Sequence, residues 1–198
     1  MAGNEGNEGN EVDEYPPRGG VELIFGPMFS GKTTELIRRI RRYEAIGRSV
    51  LVINSALDTR CGEEIRSHDA KVLCAKKVEN LTTDITPTDL DGVHVVAIDE
   101  AQFFPDLVYA VQYLTVLKGI DVVVSGLNGD ARQHKFGQIL DLIPMADCVT
   151  HLHGLCGICQ DGTHGSFSIR TRDVEDQLLV GAKESYICVC RLHLDEIA

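Results

Sequence analysis

An α/β fold, a doubly wound and mainly parallel sheet with a small metal-stapled subdomain at its C-terminal end, is predicted by three observations. From Val21 onward, short β-branched apolar runs alternate with segments of helical period. A glycine-rich turn joins the first such run to the first such segment. After about Cys148, helical periodicity gives way to cysteine, histidine and glycine. With 198 residues, 43% hydrophobic and 25% charged, the chain is long enough to bury one core and a small appendage.

Residues 1–20 come first. Gly3-Asn4-Glu5, Gly6-Asn7-Glu8 and Gly9-Asn10-Glu11 repeat, and Pro16, Pro17, Gly19 and Gly20 follow. Such a stretch buries too little to offset the entropy of ordering it, so a disordered acidic tail is expected. Its five acidic residues and one basic residue account for -4 of the formal charge of -11. That balance argues against non-specific binding of nucleic acid or an anionic membrane. No run approaches the roughly 20 apolar residues of a membrane helix, and the acidic start is unlike a basic leader peptide, so a soluble, cytoplasmic protein is expected.

The main layer is expected over residues 21–148. Val21-Phe25, Val50-Ile53, Val93-Ile98 and Val122-Val124 are unbroken apolar runs, the pattern of strands covered on both faces. After Gly31, Leu36, Ile37, Ile40 and Tyr43 share a helical face, with Arg38, Arg39, Arg41 and Arg42 read as its solvated side and Gly47 as the stop. A second helix is expected after Pro105, through Leu107, Val108, Val111, Leu114 and Leu117 to Gly119.

Gly26-Pro27-Met28-Phe29-Ser30-Gly31-Lys32-Thr33 matches G-x-x-x-x-G-K-[ST], directly after a strand and directly before a helix. Its glycines let backbone N–H groups curl toward a phosphate, and the helix N-terminus adds positive potential. Lys32 supplies charge and the Thr33 hydroxyl a ligand for magnesium. The run Val93-Ile98 ends in Asp99-Glu100, which resembles a Walker B element. Open α/β sheets place ligands at the carboxyl ends of their strands, so both carboxylates should reach the phosphates. Asp99 would hold the magnesium shell and Glu100 would take a proton from an attacking hydroxyl or water.

Residues 149–198 carry Cys156-x-x-Cys159 and, thirty residues on, Cys190-x-x-His193, two chelating pairs at zinc spacing. Four protein ligands make a closed, structural Zn2+ site that staples a region too small for its own core. Cys188, His151, His153 and His164 stand close enough in sequence to substitute as ligands. Cys61, Cys74 and Cys148 have no paired neighbour and are expected as buried or half-buried free thiols.

Together these motifs resemble the type II thymidine kinases, the zinc-containing cytosolic family, over Val21 to about Leu194. The most specific strings are Gly26 to Leu36, Asp58-Thr59-Arg60, His68-Asp69, Ile98-Asp99-Glu100-Ala101-Gln102-Phe103-Phe104-Pro105 and Phe136-Gly137. The resemblance implies a P-loop kinase sheet and transfer of the γ-phosphate of ATP to the 5′-hydroxyl of thymidine, and of deoxyuridine with it. It implies Glu100 as catalytic base. ATP, phosphate and Mg2+ would fall to Gly26, Pro27, Met28, Phe29, Ser30, Gly31, Lys32, Thr33, Thr34, Asp58, Arg60, Asp99 and Gln102. The nucleoside would fall to Met28, Phe103, Leu127 and Phe136, and to Phe167, Ser168, Val180, Gly181 and Tyr186 of a substrate-covering lasso between the zinc pairs. A homotetramer and feedback inhibition by dTTP are implied in the same way.

The chain departs from the family pattern in several places. Leu127-Asn128-Gly129-Asp130-Ala131-Arg132-Gln133 stands where the family usually reads L-D-G-T-F-Q-R, so an aromatic is lost at Ala131 and a carboxylate at Asn128. The lasso carries Ser168 for threonine and extra glycines at Gly162 and Gly165. These changes bear on which base is selected, so a deoxynucleoside kinase of altered preference is the alternative within the class. An ATP- and zinc-binding regulatory protein is the alternative outside it, disfavoured by the absence of a basic, aromatic-interleaved stripe.

Overall fold

The computed structural model describes residues 18–58, 64–66, 72–171 and 186–197. A six-stranded parallel sheet forms its centre, in the order β5-β2-β6-β7-β1-β8. The strands are β1 (Val21–Gly26), β2 (Val50–Ser55), β5 (Lys76–Val78), β6 (Val95–Asp99), β7 (Asp121–Leu127) and β8 (Cys148–His151). The short strands β3 (Glu64–Arg66) and β4 (Val72–Cys74) pair antiparallel beside it.

Both faces are covered, and period-2 alternation divides the strand residues between them. On one face Ile24, Val52, Val95, Ala97 and Val123 meet Leu36, Ile37 and Ile40 of α1 (Lys32–Ala45). On the other, Leu23, Phe25, Val96, Ile98, Val122 and Val124 meet Leu107, Val111 and Leu114. This is the doubly wound architecture that the apolar runs predict. The helices on that second face are the single turn α2 (Leu81–Asp84) and α3 (Leu107–Gln112).

Three expectations meet a different outcome. The helix after Pro105 is α-helical only as far as Gln112 and continues as a π-helical turn over Tyr113–Leu117. The wider turn rotates its last residues off the core face, leaving Leu117 65% exposed. Arg39 is not on the solvated side of α1. It is buried, donating to Glu35 at 2.9 Å, to Glu22 at 2.6 Å and to Thr150 Oγ1 at 2.7 Å, because α1 lies across β1 where β8 joins it. Cys74 and Cys148 are exposed thiols. Cys148 opens β8, an edge strand whose one neighbour in the sheet is β1.

Beyond the sheet, β9 (Gly154–Leu155) pairs with β10 (His164–Gly165), and β11 (Phe167–Arg170) pairs with β12 (Tyr186–Val189). The helix α4 (Arg191–Ile197) follows. The acidic tail to residue 17, Arg60, Cys61, His68, Asp69, Val180 and Gly181 lie outside the described residues.

Candidate active site and metal centre

β1 delivers the chain to Gly26, and the loop turns into α1 through two left-handed residues, Phe29 at φ 63 and Gly31 at φ 84. Gly26 must be glycine, since a Cβ there would stand 2.2 Å from the Leu152 carbonyl oxygen. Inside the loop, Ser30 Oγ and Lys32 Nζ donate to the Pro27 carbonyl at 2.8 and 2.6 Å. Thr33 and Thr34 open α1, whose first N–H groups have no partner within the helix and make its start an anion site.

Asp99 ends β6, next in the sheet to β2 on one side and β7 on the other. Thr33 Oγ1 donates to its Oδ2 at 2.9 Å and Ser125 Oγ donates to its Oδ1 at 2.8 Å. Burial pushes the Asp99 carboxyl up to about 6, the neighbouring Glu100 carboxylate adds to the rise, and the two hydroxyls oppose it. A buried carboxylate and a hydroxyl at the mouth of a phosphate loop are the hard oxygen donors that Mg2+ takes, so the residues present fit that ion.

Glu100 is held at φ 51, a left-handed conformation uncommon outside glycine, and sits at the point where β6 breaks into the 3-10 turn Ala101–Phe103. Its Oε2 accepts a 2.6 Å hydrogen bond from Gln102 Nε2, and Gln102 Oε1 accepts from the Leu127 N–H at 2.9 Å. The side chain of Gln102, expected at the nucleotide, is thus turned toward Glu100 and the end of β7.

Asp58 follows β2 and is buried, with Oδ2 accepting from Asn54 Nδ2 at 3.0 Å. Lys77 Nζ donates to the Asp58 carbonyl at 2.6 Å. Ser125, Asn54 and Lys77 were not singled out in the sequence. Ser125 and Asn54 left one cue, a polar residue inside an apolar strand.

Of the residues expected at the base, Phe103 and Phe136 meet edge to face, ring centres 5.6 Å apart and planes at 88°. Leu127 ends β7, and its N–H makes the Gln102 contact just given. Met28 donates its backbone N–H to Ser168 Oγ at 2.8 Å, which joins the phosphate loop to β11. Phe167 lies under the Arg191 guanidinium at 4.1 Å, and Tyr186 pairs with Arg170 across the β11–β12 ribbon.

The ligand atoms of Cys156, Cys159, Cys190 and His193 all fall within 4.8 Å of one another, the one such group among the described residues. His193 Nδ1 stands 3.4 Å from each of the three sulfurs, and Cys159 and Cys190 are 3.8 Å apart. Tetrahedral zinc with ordinary Zn–S and Zn–N bonds requires about 3.8 Å between sulfurs and about 3.6 Å from sulfur to nitrogen. The cluster fits Zn2+ with four protein ligands. Burial opposes ionisation of Cys156, yet backbone N–H groups of Cys159, Cys190 and Ile158, together with His193, bring its thiol down to about 6. Burial and the neighbouring sulfurs push Cys159 up to about 11.

The other candidate ligands are placed apart. Cys188 packs its sulfur against Gly154 and Gly165, where a Cβ would come within 2.7 and 2.5 Å. His151, His153 and His164 form a column of rings with successive centres 4.4 and 5.8 Å apart.

Comparison with known proteins agrees with this geometry. The family model described as thymidine kinase matches residues 19–194. The thymidine kinase of Yaba monkey tumor virus is 40% identical over 174 residues, covering 88% of this chain and 93% of that protein. That of fowlpox virus is 38% identical over 178 residues, covering 87% and 95%. The cytosolic thymidine kinase of Homo sapiens is 37% identical over 175 residues, covering 88% and 73%. A phosphate loop after β1, two carboxylates at the end of β6, a Cys3His cluster and this likeness along nearly the whole described chain place the protein in the thymidine kinase family.

Proposed function

We propose that the chain transfers the γ-phosphate of ATP to the 5′-hydroxyl of thymidine, and of deoxyuridine, with Glu100 as the base. The observation that carries the reading is the Asp99-Glu100 pair at the end of β6, one carboxylate bonded to the phosphate-loop Thr33 and the other beside it. The O5′–phosphorus bond forms as the bond from phosphorus to the β-phosphate oxygen breaks. ADP leaves, and the hydroxyl proton passes to the Glu100 carboxylate. The loop N–H groups and Lys32 would position the β- and γ-phosphates, with Arg60 supplying positive charge to the phosphates and Asp58 negative charge to the magnesium. Thr33 and Asp99 would hold Mg2+, and the chemistry that ion would supply there is neutralisation of charge on the phosphates.

Met28, Phe103, Leu127 and Phe136 would hold the base from the sheet side, and Phe167, Ser168, Val180, Gly181 and Tyr186 from the lasso side. Zinc on Cys156, Cys159, Cys190 and His193 would fix the base of that lasso and has no catalytic task. A homotetramer, inhibition by dTTP and a cytoplasmic location complete the reading. No helix among the described residues is long and apolar enough to cross a membrane. The test is Glu100→Gln, which should keep ATP and thymidine binding while lowering turnover by at least roughly a hundredfold. Thymidine monophosphate formed by the variant at an undiminished rate would remove Glu100 from the role.

A further inference from the structure

We propose that Gln102 is the positioning residue for Glu100, its side-chain amide aiming the carboxylate and taking its own orientation from the end of β7. The inference rests on Glu100 being the base.

The hydrogen-bond directions leave one arrangement. The backbone N–H of Leu127 can only donate, so the group 2.9 Å from it must be the amide oxygen of Gln102. The amide nitrogen then faces Glu100 Oε2 at 2.6 Å, a short bond to an ionisable acceptor. Gln102 is 3% exposed, so water does not compete for either contact.

The surrounding backbone is shaped to the same end. A Cβ at Gly126 would stand 2.5 Å from Gln102 Oε1 and 3.1 Å from the Ala101 nitrogen. A Cβ at Gly137, itself at φ +60, would stand 2.2 Å from the Gln102 carbonyl oxygen. Two glycines thus clear the volume that the side chain and the backbone of this residue occupy. Glu100, meanwhile, sits in the left-handed region at φ 51, a conformation that persists when its surroundings over-determine it. Gln102, two residues on and bonded to both Glu100 and Leu127, is such a constraint. It also gives Leu127 a second task. A residue expected at the base of the nucleoside orients, through its N–H, the group that aims the proton acceptor.

Residues that act through one another are non-additive, so a double-mutant cycle tests the proposal. Steady-state kcat and KM for ATP and thymidine are measured for Gln102→Met, in the parent chain and in Glu100→Gln. Rates are normalised to the ATP-binding stoichiometry of each preparation. Gln102→Glu is the second variant, because its carboxylate still accepts from the Leu127 N–H while losing the donor to Glu100. In the parent chain both should lower kcat by about 10- to 100-fold, the worth of a buried hydrogen bond to a charged group, with KM for ATP within twofold. In Glu100→Gln, Gln102→Met should change kcat by less than twofold. An equal fold-loss in both backgrounds would overturn the proposal, as would a large rise in KM for ATP at constant kcat, which would return Gln102 to the nucleotide. Undiminished turnover in Glu100→Gln alone would instead overturn the reading of the base, so the two failures are distinct.

Discussion

At the scale of single residues, the site stores its tension in Asp99. The carboxyl is buried beside a second carboxylate and its pKa is raised to about 6. A raised folded-state value means that the native protein binds this proton more tightly than the unfolded chain does. The stabilisation is complete below the ordinary carboxyl value of 3.8, and is lost as pH rises through about 6. At pH 7 the ion is therefore a liability that bound Mg2+ would relieve. Asp99→Asn removes the titration, so the stability of the parent relative to the variant should decline between about pH 4 and pH 6.5 in magnesium-free urea titrations. Addition of Mg2+ at pH 7 should raise the midpoint of the parent and not of the variant. A parent-minus-variant difference that is flat across this range would mean that Asp99 is ionised in the fold at all these pH values.

At the scale of elements, α1 links the phosphate loop to the sheet edge, and its basic face shows where sequence reading reaches its limit. Arg38 and Arg39 look alike in the pattern, since both fall off the apolar stripe. Arg38 does lie outside, paired with Glu35 at 2.6 Å and 54% exposed along its side chain. It holds the Glu35 carboxyl down at about 2, in part with Arg39 and against the opposing effect of burial. Arg39 is enclosed because Glu22 of β1 and Thr150 of β8 come from 17 residues before it and 111 after it. No local period encodes such a contact. The Gln102–Leu127 contact, 25 residues apart, escaped for the same reason, whereas the phosphate loop and the zinc pairs were legible because their chemistry demands fixed short spacings. Arg39→Met should cost about 2 kcal/mol, since it leaves two carboxylates facing a guanidinium-shaped gap, and should lower the melting temperature by about 4–8 °C. Arg38→Ala should leave that temperature unchanged. Equal effects of the two substitutions in a thermal scan would refute the distinction.

At the scale of the molecule, the Cys3His cluster lies in a part of the chain with a small core of its own, Cys156, Ile169, Val189 and Leu194. Its influence on the active site follows a short covalent and hydrogen-bonded route. Cys190 directly follows β12, whose Cys188 pairs with Ser168 of β11, and Ser168 Oγ accepts from the Met28 N–H in the phosphate loop. Sequence analysis marks both ends of this route as sites but not the bond that joins them, since Met28 and Ser168 are 140 residues apart. Metal lost at one end should therefore be felt at the other as a loosened clasp and not as failed chemistry. Cys156→Ser should lose zinc by atomic absorption and melt at a lower temperature, because binding energy at such a site is folding energy. Its KM for thymidine should rise about tenfold, the worth of one hydrogen bond of this kind, while kcat at saturating nucleoside falls less. Ser168→Ala, which keeps the four ligands, should reproduce the rise in KM with zinc content unchanged. If Cys156→Ser raised KM and Ser168→Ala did not, the coupling would run through some other part of the ribbon than the clasp to Met28.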